Sequence, residues 1–402
     1  MDTVNVMGVP DTARRATEED RVEPEPDTYF DGWRDEGHQR LCRTVRHELE
    51  QHGPAWARSI DDEALLDPLL VTTTSHPDSG LELPQCLWGL VPPRHRPSSM
   101  SVRAFEDGRV LLPGLGTLRG PEPFGRATLH VVDDEPRLRE HPDARLEPLP
   151  RAGPIVVYPY RHPWLRPYTD LHGKHYADTR VEEPTRHNLS SLTEAMELLE
   201  ATSPRQHAEL GRDLRLAIIV HQPALASMAG LPIHGAVFLS VRGHERPIFL
   251  VEELVHQGGH VTFSKVIADW SKVLAIPYAT PMSRLTGDED DPRPFGDAVH
   301  GNYTLVRMVL ALEALLDYPL VRGHLRHEVL GRVALSLVRL EVGLQQIDHP
   351  GLYHERGWLM HRRFVGAYER MSRRLGWVRA RVEVRDQPYV FEYDRFLAAN
   401  PL

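Results

Sequence analysis

The chain has 402 residues, 41% hydrophobic and 26% charged, a composition typical of a globular protein with a full core and not of a disordered chain. It has neither an apolar run of about 18 residues nor the basic-then-apolar start of a signal peptide, so we expect a cytoplasmic protein with no membrane partner. The net charge of −10 argues against a nucleic-acid partner, and two cysteines, Cys42 and Cys86, exclude a disulfide framework.

Composition and periodicity divide the first half of the chain. Residues 1–27 combine proline with acidic side chains and are predicted to be a disordered acidic tail. Residues 28–185 are predicted to form a mixed unit that begins with two helical patterns, the second ending before Pro68. Between residues 91 and 170, proline and glycine separate short alternating stretches typical of a small antiparallel sheet. These stretches are Ser99–Phe105, Arg109–Leu112, Ala127–Val132 and Pro154–Tyr158.

Residues 186–402 are predicted to be dominated by helices. Ser191 and Glu194 form a capping box that predicts a helix start, and Pro247 is placed to begin a later helix. The fold class is therefore predicted to be α+β, with a helix-dominated domain and a small sheet following the Pro-rich, strand-containing unit. The other predicted elements are strands at Leu214–Val220 and Gly235–Val241, helices at 298–317, 324–347 and 355–375, and a strand-like stretch at Val382–Tyr393.

Histidines are frequent, and two of them share a helix face. A chain with 23 histidines is expected to contain about one pair at spacing i, i+4 by chance, so the spacing of His256 and His260 is not evidence by itself. Between them stand Gly258 and Gly259, each of which costs a helix interior about 1 kcal/mol relative to alanine. Two such glycines indicate either close approach of another backbone or room beside a ligand.

Four segments in one order resemble a bacterial family known for its His-Glu-x-x-His motif, the peptide-modification proteins. In that family a strand leads into a helix that carries the two histidines, and a Pro-Arg-Pro segment precedes a helix that opens on a third histidine. The resemblance covers roughly residues 189–345. The matching segments are Gly235–Ser240, Leu254–His260, Pro292–Pro294 and His300–Tyr303.

The resemblance implies a non-haem Fe(II) and 2-oxoglutarate-dependent oxygenase that uses O2 to β-hydroxylate side chains of ribosomally made peptides. Residues 186–402 then form the metal-binding catalytic domain, with His256, His260 and His300 as ligands. Three protein ligands leave three positions on an octahedral ion for a 2-oxo acid and dioxygen. Arginine suits the distal carboxylate of that acid. The candidates are Arg293, within the Pro-Arg-Pro segment, with Arg284 and Arg307 as alternatives.

One position departs from the family motif: Gln257 replaces the glutamate between the histidines. An amide cannot accept the proton of a metal-bound water, so zinc-dependent hydrolysis is disfavoured. An oxygenase needs no such base, and Gln257 is then expected to hydrogen-bond to groups around the metal. Glu253 is placed either to orient a ligand or to face solvent, and we expect solvent.

Two classes of function follow. In the first, an iron oxygenase oxidises a peptide or a carrier-bound amino acid, and residues 28–185 help to hold the substrate. In the second, a zincin-like metal-binding protein without hydrolytic activity serves as a binding partner in a biosynthetic complex. An active zinc peptidase with another base is a third option. The sequence favours no particular oligomeric state.

Overall fold

The computed structural model describes residues 30–75, 81–161, 178–222 and 225–402. The predicted α+β class is confirmed, since the structure is 55% helical with small sheets. The acidic tail predicted for residues 1–27 lies outside the described residues. Among the helices of these four ranges, none combines the length and apolar character needed to cross a bilayer.

Twelve α-helices are described in these ranges, and short 3₁₀ turns separate several of them. In chain order they are α1 Asp31–His52, α2 Asp62–Leu65, α3 Pro68–Ser75, α4 Leu83–Leu90, α5 Glu182–Thr202, α6 Pro204–Asp213, α7 Pro247–Val266, α8 Met282–Thr286, α9 Phe295–Leu316, α10 His324–Gln346, α11 Glu355–Arg379 and α12 Tyr393–Ala399.

The described strands form three small sheets. Two are antiparallel, in the orders β1-β4-β5 and β2-β3-β6, and the third has the order β10-β9-β8-β7. The strands are β1 Ser99–Arg103, β2 Arg109–Leu112, β3 Gly116–Arg119, β4 Arg126–Val132, β5 Glu135–Leu138, β6 Leu146–Glu147, β7 Arg151–Ala152, β8 Ile155–Val157, β9 Leu216–Val220 and β10 Ala236–Ser240.

The four-stranded sheet joins the two halves of the chain. Its strands β8, β9 and β10 run parallel, and β9 is buried along its whole length, as its continuous apolar sequence predicts. Alternate side chains enter different cores: Ile218 packs with residues of α1, α3 and α4, whereas Ile219 packs with residues of α5, α6 and α7. The boundary expected near residue 185 falls inside α5, and both cores contain residues from either side of it.

Helix α7 lies at the centre of the second core. It contacts α1, α5, α6, α9 and β10, so most of its faces are covered by other elements. A Cβ on Gly258 would overlap the Leu210 side chain of α6, and a Cβ on Gly259 would lie 3.1 Å from Thr304 Cγ2 of α9. Because these glycines have no Cβ atoms, side chains of α6 and α9 can pack directly against α7. Neither of the reasons expected from the sequence, a close backbone or a ligand, is the observed one.

Two predicted element boundaries are wrong. The capping box does not start a helix, because Ser191 is buried in the middle of α5, which begins at Glu182. The residues before Ser191 continue the helix because Pro184 stands in the first turn, where proline needs no hydrogen-bond partner. The stretch Val382–Tyr393 forms no strand: it is irregular, with one turn and one bend, until α12 begins at Tyr393. Its Phe391 packs on Gly331 of α10.

Candidate active site

His256 and His260 are brought together on one face of α7. Their Nε2 atoms are 3.2 Å apart and their ring centroids 5.0 Å apart. Both side chains line a cavity of about 950 Å³. The pairing follows directly from the i, i+4 spacing, which places both rings on the same side of a helix.

His300 joins this pair from the second turn of α9. Its ring centroid lies 4.3 Å from that of His260, nearly perpendicular to it, and 4.7 Å from that of Phe263. The Nε2 atom of His300 is buried and has no hydrogen-bond partner, so the hydrogen bond of this ring to the His260 backbone is made by the other nitrogen. A ring that donates one N–H to a carbonyl keeps a lone pair on its second nitrogen.

All three imidazoles are held in the neutral form. Burial lowers the pKa of His256 to about 4 and, with the neighbouring His256, that of His260 to about 3. Burial, reinforced by His260, also lowers the pKa of His300 well below its ordinary value. Neutral imidazole is the form that binds a metal ion, since protonation occupies the donor lone pair.

The three imidazoles are suitable ligands for a transition metal, but as placed they do not surround a single ion. Two nitrogens bound to one ion at about 2.1 Å lie about 3.0 Å apart in an octahedral site and about 3.4 Å apart in a tetrahedral site; the His256–His260 separation of 3.2 Å lies between these values. Within the four described ranges, no group of three or more His, Cys, Asp or Glu side chains is arranged to hold an ion. Closing the set requires His300 to approach the pair.

Gln257 and Glu253 extend the site behind His256. Gln257 is 3% exposed, and its amide nitrogen lies 3.3 Å from His256 Nδ1. Glu253 hydrogen-bonds to Gln257 and Ser227. The amide nitrogen therefore donates to His256 Nδ1, and the neutral ring carries its proton on Nε2, the atom that faces His260 Nε2. Binding a metal through His256 Nε2 would require this proton to leave or to move to Nδ1, with the Gln257 amide turned so that its oxygen accepts.

The expectation that Glu253 faces solvent is wrong. Its side chain lines the cavity, and burial raises the pKa of its carboxyl above the ordinary value. The sequence carried a signal for this position, because residues 253, 256 and 260 follow the i, i+3, i+7 pattern of a single helix face. A carboxyl group therefore does occur on the histidine face, although not at the motif position.

None of the three arginines proposed for a carboxylate lines this cavity. Arg293 is half exposed and bonds bidentately to Asp291, with both N···O distances 2.7 Å. Arg284 is exposed, and Arg307 is fully buried 2.8 Å from Glu209. The guanidinium of Arg293, the candidate favoured from the sequence, is engaged instead by the neighbouring Asp291.

Arg246 and Arg332 are cavity residues that the sequence reasoning missed. Arg332 is buried and bonds to both Glu328 and Glu252. Arg246 is 44% exposed, lies 3.4 Å from Glu328 and stacks over the Tyr393 ring at 4.2 Å. Because Arg246 is paired less closely with a carboxylate than Arg332 is, it is better placed to bind the carboxylate of a ligand. The available signal was its position immediately before Pro247, which begins the histidine helix.

The walls of the cavity come from the second half of the chain. Every described residue that lines it lies between Gln222 and Arg395, so the described part of the segment 28–185 does not contribute to this wall. Both aromatic side chains and charged pairs line it, including Arg242 and Glu392 at 2.8 Å. A mixed wall of this kind suits a peptide-like ligand, which carries both apolar and polar groups.

Comparisons with known proteins add no family to these observations. No family model matches the chain, and no curated protein matches it significantly. The resemblance described from the sequence therefore stays a prediction, and the geometry of the cavity is the basis for a functional proposal.

Proposed function

We propose that the chain is a non-haem Fe(II) and 2-oxoglutarate-dependent oxygenase. It oxidises an amino-acid side chain in a ribosomally made peptide or on a carrier, with β-hydroxylation as the outcome, during natural-product biosynthesis. Residues 186–402 are the metal-binding catalytic domain in this proposal. The supporting observation is the set of three buried, neutral imidazoles at one wall of a large cavity.

His256, His260 and His300 would hold the iron. When bound, iron and 2-oxoglutarate supply the oxidising chemistry that attacks a C–H bond with O2. The residues of this chain do the remaining work. Gln257 and Glu253 fix the orientation of His256 through their hydrogen bonds, and Arg246 binds the distal carboxylate of the 2-oxo acid.

The absence of a base at position 257 favours oxidation over hydrolysis, since an amide cannot accept a proton from a metal-bound water. The second candidate is a zincin-like metal-binding protein that acts as a binding partner in a biosynthetic complex without hydrolysing peptides. The carboxyl of Glu253 on the cavity wall gives the third option, a zinc peptidase, a specific base. Chelator-sensitive peptide cleavage that Glu253→Gln abolishes would establish that option.

Anaerobic purification followed by metal analysis separates these functions. We expect one Fe(II) per chain and conversion of 2-oxoglutarate to succinate that requires O2. Incubation with a candidate peptide should add about 16 Da for hydroxylation, and a loss of about 2 Da would indicate desaturation instead. Zinc or no metal, with no turnover of 2-oxoglutarate, would contradict the oxygenase and support the binding partner.

A further inference from the structure

A second polar cavity, of about 340 Å³, lies against α7 and is lined by a different set of residues from the first. This volume falls at the lower end of the range of small-molecule sites, about 300–1,000 Å³. Helices α1, α6 and α7 contribute to it together with the residue that precedes the Gly235 turn. Its lining consists of His38, Glu63, Leu66, Arg212, Asp213, Arg215, His234 and Lys265.

The cavity holds more cationic than anionic side chains. Three are cations, namely Arg212, Arg215 and Lys265, and two are carboxylates. Asp213, the buried carboxylate, accepts from Lys265 Nζ at 2.9 Å and from Thr262 Oγ1 at 2.8 Å. Its oxygens are therefore already engaged, whereas a Lys265 ammonium has three donors and makes one hydrogen bond within the described part of the chain.

Glu63, the other carboxylate, does not neutralise the excess of positive charge in the cavity. The Glu63 side chain is 87% exposed and lies 3.5 Å from an Arg215 nitrogen. An ion pair at this distance with a solvated carboxylate is weak, because water screens it. Arg215 is 29% exposed, so its guanidinium is available to a ligand from the cavity side.

His234 provides an independent indication of a ligand. It is 2% exposed, and its Nε2 atom is buried without a hydrogen-bond partner among the described residues. A buried nitrogen left in this state costs about 1–3 kcal/mol, so such atoms call for an explanation. Its position is fixed by the next residue: Gly235 has φ +91°, and its carbonyl accepts from the Arg215 N–H at 2.8 Å.

We propose that this cavity is a binding site for a small oxyanion, a carboxylate or phosphate group, held by Lys265, Arg215 and His234. Arg215 and Lys265 supply charge-assisted donors, and His234 Nε2, in the tautomer that carries its proton there, supplies a third. The ligand would connect α7 with the segments that precede β9 and β10, on the side of α7 away from the histidine pair. This site does not depend on the proposed oxygenase activity.

Calorimetric titration of the full chain tests the site, with inorganic phosphate and acetate as separate probes in a buffer free of both. The protein is first treated with a chelator, so that a metal at the histidines cannot bind the probe. We expect one saturable site for at least one probe. Arg215→Gln should weaken that binding about tenfold, and His234→Phe should weaken it as well. The matched control Arg43→Gln, an exposed arginine on α1, should leave the affinity unchanged.

Each outcome decides the question. Binding of phosphate alone identifies a phosphoryl ligand, binding of acetate alone identifies a carboxylate, and either result supports the site when Arg215→Gln weakens it. No saturable binding of either probe at tens of millimolar would overturn the proposal and leave a water-filled cavity. Binding that is equal in the wild type, Arg215→Gln and Arg43→Gln would also overturn it. Because Arg215 is partly exposed, this variant is expected to fold even if His234→Phe does not.

Discussion

The two sides of helix α7 treat buried polar groups in opposite ways. On one side, Lys265 is paired with Asp213 at 2.9 Å, and Thr262 donates to the same carboxylate. On the other side, His256 and His260 are buried as neutral rings with no carboxylate partner within hydrogen-bond distance in the described residues. The Lys265–Asp213 pair balances two buried charges and contributes to stability, whereas the histidine side holds neutral rings without a charged partner.

The largest expected effect is a loss of iron affinity when one of the histidines proposed as metal ligands is replaced. His260→Ala should lower iron affinity by more than about 100-fold, because loss of a direct ligand exceeds the effect of losing a group that only orients one. The measurement is iron content after anaerobic reconstitution. His187→Ala, an exposed histidine of α5, is the matched control and should retain iron. Equal iron binding by the two variants would exclude the histidine site.

Removing the cation on the paired side should cost stability instead. Lys265→Met leaves Asp213 buried without its partner, and we expect the free energy of unfolding to fall by about 3–5 kcal/mol. Urea denaturation measures it. The double variant Asp213→Asn/Lys265→Met removes both charges and should recover part of the loss. A single variant as stable as the wild type would show that the pair does not stabilise the fold.

The same pair predicts a dependence of stability on pH. Despite the opposing effect of burial, Lys265 and Thr262 lower the pKa of Asp213 from 3.8 to about 2. Its contribution is therefore present above pH 3.8 and is lost as the pH falls to 2, and it amounts to about 2–3 kcal/mol. Unfolding free energies measured between pH 5 and pH 2 should show this loss. Asp213→Asn should remove that part of the slope, and an unchanged slope would contradict the assignment.

The glycines between the histidines offer a smaller test. A Cβ at position 258 overlaps Leu210, so we expect Gly258→Ala to destabilise the protein by about 1–2 kcal/mol. At position 259 the nearest atom is 3.1 Å away, and the higher helix propensity of alanine offsets the crowding to within about 0.5 kcal/mol. Thermal unfolding of both variants checks this order. The reverse order would indicate that α6 and α9 pack differently on α7.

The smallest expected effects are on the KM for 2-oxoglutarate, and they distinguish Arg246 from Arg293. Arg246→Gln should raise the KM for 2-oxoglutarate about tenfold, because a charge-assisted contact to the carboxylate is lost. Arg293→Gln should leave KM unchanged, since Arg293 already bonds to Asp291 outside the cavity. Succinate formation at varied 2-oxoglutarate concentration measures both. A larger effect at Arg293 than at Arg246 would restore the assignment made from the sequence.

The sequence predicted local features well. The helices α9, α10 and α11 begin within three residues of their predicted starts, because long apolar periodicity specifies a helix without knowledge of its neighbours. The strands predicted at Leu214–Val220 and Gly235–Val241 are observed at Leu216–Val220 and Ala236–Ser240, because a short continuous apolar run is typical of a buried strand. The helical spacing of the two histidines likewise placed their rings on one face.

Features that depend on distant partners were not predictable in this way. Glu253 lies at the cavity wall, where Ser227, from another segment of the chain, hydrogen-bonds to it. His327 and His361 are likewise buried by contacts from outside their own helices, His327 at 3.2 Å from the Tyr393 hydroxyl and His361 at 3.1 Å from Asp348. In each case the deciding contact comes from tertiary packing or from a side-chain bond that the local pattern does not encode.

The parallel pairing of β8 with β9 and β10 bears on any attempt to divide this protein. A fragment that starts at residue 186 would keep the histidine helix but lose β8, and with it the hydrogen-bonding partner along one edge of β9. An uncovered apolar strand edge is a template for aggregation. The smallest fragment expected to fold around the histidine helix should therefore extend back through β8, and through α1, which packs on α7.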